Sequence, residues 1–164
     1  MKIHTSLLDS KKKKISLKKA KNFIYSKSNG AESIFVGRVR NNNKGKKVKA
    51  VTYTAHKRLV MKSFTKICNE GKKKFDKKAK IFLEHATNYV PVGGISIIIA
   101  VGSGHRDEAY KMSRYILEEV KHRASIWKKE HYIEGKEEWL PGHSLKPKEK
   151  VKKFFYFNLA ISLI

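Results

Sequence analysis

The sequence predicts an α+β domain built in two layers, and three observations predict it. Short runs rich in β-branched and aromatic residues fall at 33–40, 48–55, 81–86 and 95–101, the lengths and compositions of strands. Three other segments repeat apolar residues at helical spacing. The order strand, helix, two strands, helix, two strands, helix then suits helices laid on a largely antiparallel sheet. With 164 residues the chain can bury a core unaided, and it shows no internal repeat or Pro/Gly/Ser-rich linker. One domain is expected over residues 1–140, followed by a tail at 141–164 that is first basic and then apolar.

Lys2 to Leu7 opens as a short strand, followed by the basic loop Ser10 to Lys14. Ser16 stands where an N-cap belongs, ahead of the stripe Leu17, Ala20, Phe23 and Ile24. The turn residues of "SNGA", Ser28 to Ala31, end that helix. "SIFVGRVR", Ser33 to Arg40, reads as a strand in which Gly37 allows a bulge, and "VKAVTYTA", Val48 to Ala55, as its return across "NNNKGKK". A hairpin of these two strands is expected.

Val60, Phe64, Ile67, Cys68 and Phe75 then recur at helical spacing between Lys57 and Lys78, with Gly71 as a weak point. Ile81 to Ala86 and Ile95 to Val101 are joined by a loop containing Pro91, Gly93 and Gly94. "ISIIIAV" is apolar at every position, so this strand should be central and covered on both faces. A helix from Gly102 to Arg123 carries Ala109, Met112, Ile116 and Val120 on one side, and irregular structure is expected beyond it.

Lys and Arg number 38 against 14 Asp and Glu, a net charge of +24, which attracts polyanions. The lysines are spread over nearly every segment rather than gathered on one face. Two readings therefore stand: a nucleic-acid-binding module, or a solvated, lysine-biased surface. Cys68 is the only cysteine, so there is no intramolecular disulfide or CxxC pair, and any sulfur chemistry needs sulfur from outside. The histidines show no ligand spacing, so no metal and no cofactor are expected. "MKIHTSLLDS" lacks the apolar run of a signal peptide, which argues for the cytoplasm. The apolar stretch "FFYFNLAISLI" is eleven residues long, short of the roughly 20 that span a bilayer.

Three stretches could carry chemistry. "GSGHRDEAY", Gly102 to Tyr110, joins the central strand to a helix; Ser103 could cap it, and Asp107 and Glu108 suit its positive end. His105 and Arg106 do not suit it, which points either to an anion-binding corner or to solvent-facing cations at a plain helix start. Arg38 and Arg40 lie two apart in a strand and so face the same way, able to converge on one anion or to decorate a solvated hairpin edge. In "VKHRASIWKKEHY", Lys121 would project from the last helical turn and Lys128 from the loop that follows, with Ile126 and Trp127 anchored on apolar surface. Both amines could reach one pocket, where neighbouring cations or burial would suit a lysine to act as base or nucleophile.

In order, "GAESIFVGRVRNNNKGKKV", "SGHRDEAY" and "LEEVKHRASIWKKE" resemble the large, catalytic subunit of molybdopterin synthase. Gly30, Ala31, Phe35, Gly37, Val39, Arg40, Asn43, Gly45 and Val48 fit the first family pattern; His105, Arg106, Ala109 and Tyr110 fit the second. Lys121, Ile126, Trp127, Lys128 and Glu130 fit the third, and the likeness runs from about Ile3 to Trp139.

The resemblance implies a hammerhead-type α+β fold and a homodimer at the centre of a heterotetramer. A small ubiquitin-like subunit ending in a Gly-Gly thiocarboxylate would bind at each end. Two sulfurs would pass to cyclic pyranopterin monophosphate, making the molybdopterin dithiolene. On that resemblance Arg38, Val39 and Arg40, with His105 and Arg106, hold the phosphate or pterin in a pocket drawing on both protomers. Lys121 assists attack and acyl release beside the thiocarboxylate; Lys128, with Lys129 and Glu130, binds substrate and stabilises developing negative charge. Phe35 and Trp127 support the site. No membrane and no specific nucleic acid are implied as partners.

The chain departs from the family pattern at Ala86 and Asn88, at Thr54 and His56, and at Ser125, where proline is usual. These positions bear on loop geometry and activity, and leave room for a partner-binding scaffold without catalysis.

Overall fold

Two strands that are apolar on both faces organise the protein. In the computed structural model, which describes residues 2–140, these are β5 (Lys80–Pro91) and β6 (Ile95–Ser103). Their alternate residues point to opposite faces. Ile81 and Leu83 of β5 join Ile97, Ile99 and Val101 of β6 in one core, whereas Phe82, Ala86, Ile98 and Ala100 join a second. Helices cover both faces because both are apolar.

The other strands are β1 (Ile3–Asp9), β2 (Ala31–Arg38), β3 (Asn42–Asn43), β4 (Lys46–Ala55), β7 (Ile126–Tyr132) and β8 (Glu138–Leu140). The sheet order is β2-β6-β5-β4-β7-β8, with β1 added in parallel along β5 and β3 antiparallel to β4. Every described pairing except β1–β5 is antiparallel, as expected of an α+β domain. β5 serves both halves of the sheet: it pairs with β6 from Lys80 to His85, with β1 from Ile81 to Thr87, and with β4 from Asn88 to Pro91.

α2 (Lys57–Lys74) and α3 (Arg106–Arg123) cover the first face through Val60, Phe64, Ile67, Met112, Ile116 and Val120. Gly71 does not interrupt α2; it faces α3, where an added Cβ would lie 3.4 Å from Met112 Cγ. α1 (Leu17–Ile24) lays Ala20 and Ile24 on the second face, adding a partial third layer to the expected two. Ser16 caps α1 as expected, its hydroxyl accepting from the Lys19 N–H at 3.2 Å.

The structure corrects four expectations. β2 and β4 form no hairpin: β2 pairs with β6, and β4 pairs with β5 and β7. A strand as apolar as β6 needs a partner along each edge, and β2 supplies the second, overriding the tendency of sequential strands to pair. The turn chemistry of "NNNKGKK" closes a smaller hairpin, β3–β4, over Lys44 and Gly45 at φ 50° and 82°, the positive pair a two-residue turn requires. α3 begins at Arg106 rather than Gly102, and Ser103 does not cap it, because that hydroxyl donates to Asp76 Oδ2 at 2.7 Å. Residues 126–132 form β7 rather than irregular structure, so Lys128 sits on a strand and not in a loop.

No helix among the described residues is long and apolar enough to cross a membrane. The tail expected at 141–164 lies outside the described residues.

Candidate active site

The carboxyl end of β2, the β3–β4 hairpin and β7 enclose a cavity of about 100 Å³. Arg38, Val39 and Arg40 enter from β2 and the residues after it, Asn42 and Asn43 from β3, Val48, Val51 and Tyr53 from β4, and Lys128 and Glu130 from β7. Five candidate site residues from the sequence, Arg38, Val39, Arg40, Lys128 and Glu130, therefore line one cavity.

Strand register explains the meeting. Tyr53 stands opposite Lys128 and Val51 opposite Glu130, so alternate residues of β7 point into the cavity. The segment after β2 is fixed against the β5–β6 turn, with Val39 N–H donating to Gly94 O at 3.1 Å and Gly93 N–H to Val39 O at 2.9 Å. Arg38 Nη1 donates to Gly93 O at 2.7 Å, while Arg40 has no ion pair among the described residues.

Glu130 is 7% exposed and accepts at Oε2 from Asn43 Nδ2 (2.8 Å) and the Tyr132 hydroxyl (3.0 Å). Burial and this carboxylate push the Tyr132 phenol up to about 12, and burial raises Tyr53 as well. Both phenols stay protonated donors at neutral pH. Lys128 is half-buried and has no carboxylate within ion-pair distance among the described residues. The cavity thus offers cations, the neutral Tyr53 phenol and one buried carboxylate, a set suited to an anion that also carries N–H donors.

Other residues named from the sequence lie elsewhere. Lys129 points to the opposite face of β7, where it pairs with Glu137 at 2.5 Å, and that carboxylate also takes His131 Nδ1. Trp127 is 44% exposed; the anchor of this segment is Ile126, which packs on the core. Phe35 lies 36% exposed on β2, outside the cavity lining.

Lys121 is exposed in the last turn of α3 and does not line the cavity. α3 follows β6 after two residues and packs on it, so it runs back toward the Arg38 end, which brings Lys121 to that side. His105 and Arg106 sit at the other end. Ala31 is opposite Ser103 and Arg38 opposite Ile95, so seven strand intervals, ~23 Å, separate the two basic groups within one protomer. His105 lines a second cavity of about 400 Å³ with Asp76, Lys78, Ser103 and Glu108.

Sequence reasoning missed Tyr53, Tyr132 and the part played by Asn43. Tyr53 carries no local signal, since only the β4–β7 register brings it to this wall, whereas Tyr132 follows Glu130 by two residues on β7 and reaches it by strand alternation once 126–132 is read as a strand. Cys68 is fully buried and its thiol is pushed up to about 12 by burial, which removes it as a nucleophile at neutral pH. No cluster of His, Cys, Asp and Glu able to hold a metal occurs among the described residues.

Residues 10–123 match the family described as MoaE protein. A molybdopterin synthase catalytic subunit from Synechococcus elongatus is 40% identical over 131 residues, covering 80% of this chain and 79% of the relative. One from Emericella nidulans is 38% identical over 116 residues, but the chain spans only 59% of that longer relative. Among solved structures, molybdopterin synthase from Staphylococcus aureus superposes with a TM-score of 0.76 at 27% identity, covering 82% of this chain and 95% of that one. A complex of subunits 1 and 2 of molybdopterin-converting factor from Helicobacter pylori shares the fold, with a TM-score of 0.63 at 23% identity over 84% of this chain and 88% of that one. With 114 consecutive residues fitting one pattern and the same fold beneath them, the chain belongs to the MoaE family of molybdopterin synthase catalytic subunits.

Proposed function

We propose that the chain is the catalytic subunit of molybdopterin synthase, a sulfurtransferase of molybdenum cofactor biosynthesis acting in the cytoplasm. It would take sulfur from the C-terminal thiocarboxylate of a small ubiquitin-like subunit and deliver it to cyclic pyranopterin monophosphate. The observation that carries this reading is the cavity in which Arg38, Arg40, Lys128 and Glu130 converge, in a chain of this family. The buried Cys68 supports it too, because the sulfur must come from outside the chain.

Arg38 and Arg40 suit the cyclic phosphate, with their fixed forks of donors. Glu130 suits pterin N–H groups, and Lys128 the oxygen or sulfur on which negative charge develops. Lys121, approaching from α3, would meet the incoming acyl terminus. Each transfer forms one C–S bond on a carbon of the pterin side chain in place of a C–O bond, whose oxygen leaves as water or stays on the phosphate, and breaks one acyl–S bond. Water attacks the acyl carbon and leaves the partner as its carboxylate.

His105 and Arg106 are too far from Arg38 to serve the same pocket within a protomer, which favours a homodimer in which each supplies the other's site. A small subunit at each end would complete a heterotetramer; the Helicobacter pylori complex of two subunits supports a second, partner subunit. Residues 1–140 would form the single catalytic domain. Incubating the protein with a thiocarboxylated small subunit and the cyclic pterin, and measuring dithiolene product for wild type, Lys121→Ala and Lys128→Ala, tests the reading. Product from wild type with strong loss in both variants is expected; a stable complex that makes no product would leave only a scaffold.

A further inference from the structure

Asn43 joins two parts of the cavity wall that are 87 residues apart in sequence: its amide donates to Glu130 Oε2 at 2.8 Å. It sits on β3, immediately before the Lys44–Gly45 turn. Between β3 and the Val39 anchor at the β5–β6 turn lies the short segment that carries Arg40. That segment is held at one end by Val39 and at the other by the β3–β4 hairpin, where Val48 N–H also donates to Asn41 O at 2.9 Å. Glu130 is oriented by the same contact. Asn43 and Tyr132 both engage Oε2, and Oε1 has no protein donor among the described residues.

We infer that Asn43 is a positioning residue of the sulfur-transfer site, a deepening that rests on the function proposed above. Its amide sets the Arg40 segment and the free Glu130 oxygen in register, so that phosphate and pterin edge are received together. A displacement of about 1 Å in such a pair can cost on the order of a hundredfold in rate, because the reacting geometry is lost while binding of the partner protein is not. Asn43 itself would touch Glu130 rather than the reacting atoms.

Steady-state kinetics on the heterotetramer test this with two variants. Asn43→Ala should lower kcat/KM for the cyclic pterin by about tenfold or more while affinity for the small subunit stays within about twofold. Because alanine could loosen the hairpin, Asn43→Asp provides the decisive reading. It keeps the shape but sets a carboxylate against Glu130, and two such groups ionise together only at a cost that one shared proton relieves.

Arg38, Arg40 and Lys128 face the pair as cations, Tyr53 and Tyr132 as protonated donors, and Glu138 lies behind Tyr132 at 3.5 Å. Asn43→Asp should therefore lower kcat/KM for the cyclic pterin at least as far as Asn43→Ala does, about tenfold or more, with affinity for the small subunit still within about twofold. An Asn43→Asp or Asn43→Ala enzyme within about twofold of wild type, or a loss of small-subunit affinity that matches the loss of rate, overturns the inference while leaving sulfur transfer intact. Absence of product from wild type overturns both.

Discussion

Arg123 grips Glu70 with both ends of its guanidinium, Nη1 to Oε2 at 2.5 Å and Nη2 to Oε1 at 3.1 Å. The pair ties the last turn of α3 to α2, and Nη1 also holds Glu119 one turn earlier at 3.0 Å. Lys121 lies in that same turn. The Arg123 contact holds the Glu70 carboxyl down at about 2, below its ordinary value of 4.5. A depressed carboxylate stabilises the fold above its unfolded pKa and loses that contribution as pH falls toward the folded one.

Arg123→Ala should therefore lower stability by roughly 1 kcal/mol at neutral pH, since the pair is partly solvated, a Tm change of about 3 °C. The difference from wild type should narrow as pH drops from about 4.5 toward 2. Thermal melts at pH 7, 5 and 3.5 read it. A gap that does not change with pH would assign the loss to packing of the Arg123 stem instead.

Lys128 and Lys121 should separate kinetically. Lys128 lines the cavity beside Glu130, so Lys128→Ala should raise KM for the cyclic pterin as well as lower kcat, together about a hundredfold in kcat/KM. Lys121 is exposed and outside that lining, so Lys121→Ala should fall mainly in kcat with pterin KM little changed. Equal effects on both constants in the two variants would mean that both amines contact the pterin.

The helices and the strand runs were legible because each depends on local pattern: Ser16 before its apolar stripe, Val60 to Cys68 along α2, and the doubly apolar "ISIIIAV". Pairing was less so. The hairpin of β2 with β4 looked natural from "NNNKGKK", but which edge β2 takes depends on what β6 lacks, and that is a property of the whole sheet. The anchor role given to Trp127 failed for a related reason. Side-chain direction on β7 follows from its register with β4, which turns Ile126 inward and Trp127 outward.

Two of the departures from the family pattern now have physical accounts. Asn88 sits at φ 66°, a left-handed position where glycine is the usual solution, and asparagine tolerates it while donating to Asp9 Oδ1 at 2.8 Å. His56 caps α2, its Nδ1 accepting from the Leu59 N–H at 3.4 Å. Asn88→Gly should therefore keep the fold with a small change in Tm. Asn88→Val, β-branched in the left-handed region, should destabilise by roughly 1–3 kcal/mol.

His85 supplies a pH-dependent stability that the sequence did not signal. It lies 8% exposed on β5, edge-on to the Tyr53 ring at 5.1 Å, with Nδ1 against Ala86 O at 2.7 Å. Burial holds its pKa down at about 4, against the slight opposing effect of that carbonyl. The unfolded chain then binds a proton near pH 6.5 that the native protein refuses, so the native state is favoured above that value and loses ground as pH falls. Between about pH 6.5 and 4 the loss should reach roughly 3 kcal/mol. Urea unfolding of wild type and His85→Gln over that range checks it: the wild-type curve should slope more steeply, and parallel curves would mean that His85 titrates normally in the native protein.

The ~23 Å between Arg38 and the His105–Arg106 pair leads to the test of shared sites. If each pocket takes Arg38, Arg40 and Lys128 from one protomer and Arg106 from its partner, Lys128→Ala and Arg106→Ala homodimers should each be nearly inactive. A dimer with one chain of each variant carries both defects in one pocket and none in the other. Two-fold symmetry then gives such mixed dimers about half of the wild-type rate. Differently tagged chains, co-expressed and purified through both tags, provide the sample. If every residue of a pocket came from one protomer, each pocket of the mixed dimer would carry one defect, and the rate would stay at the level of the single variants.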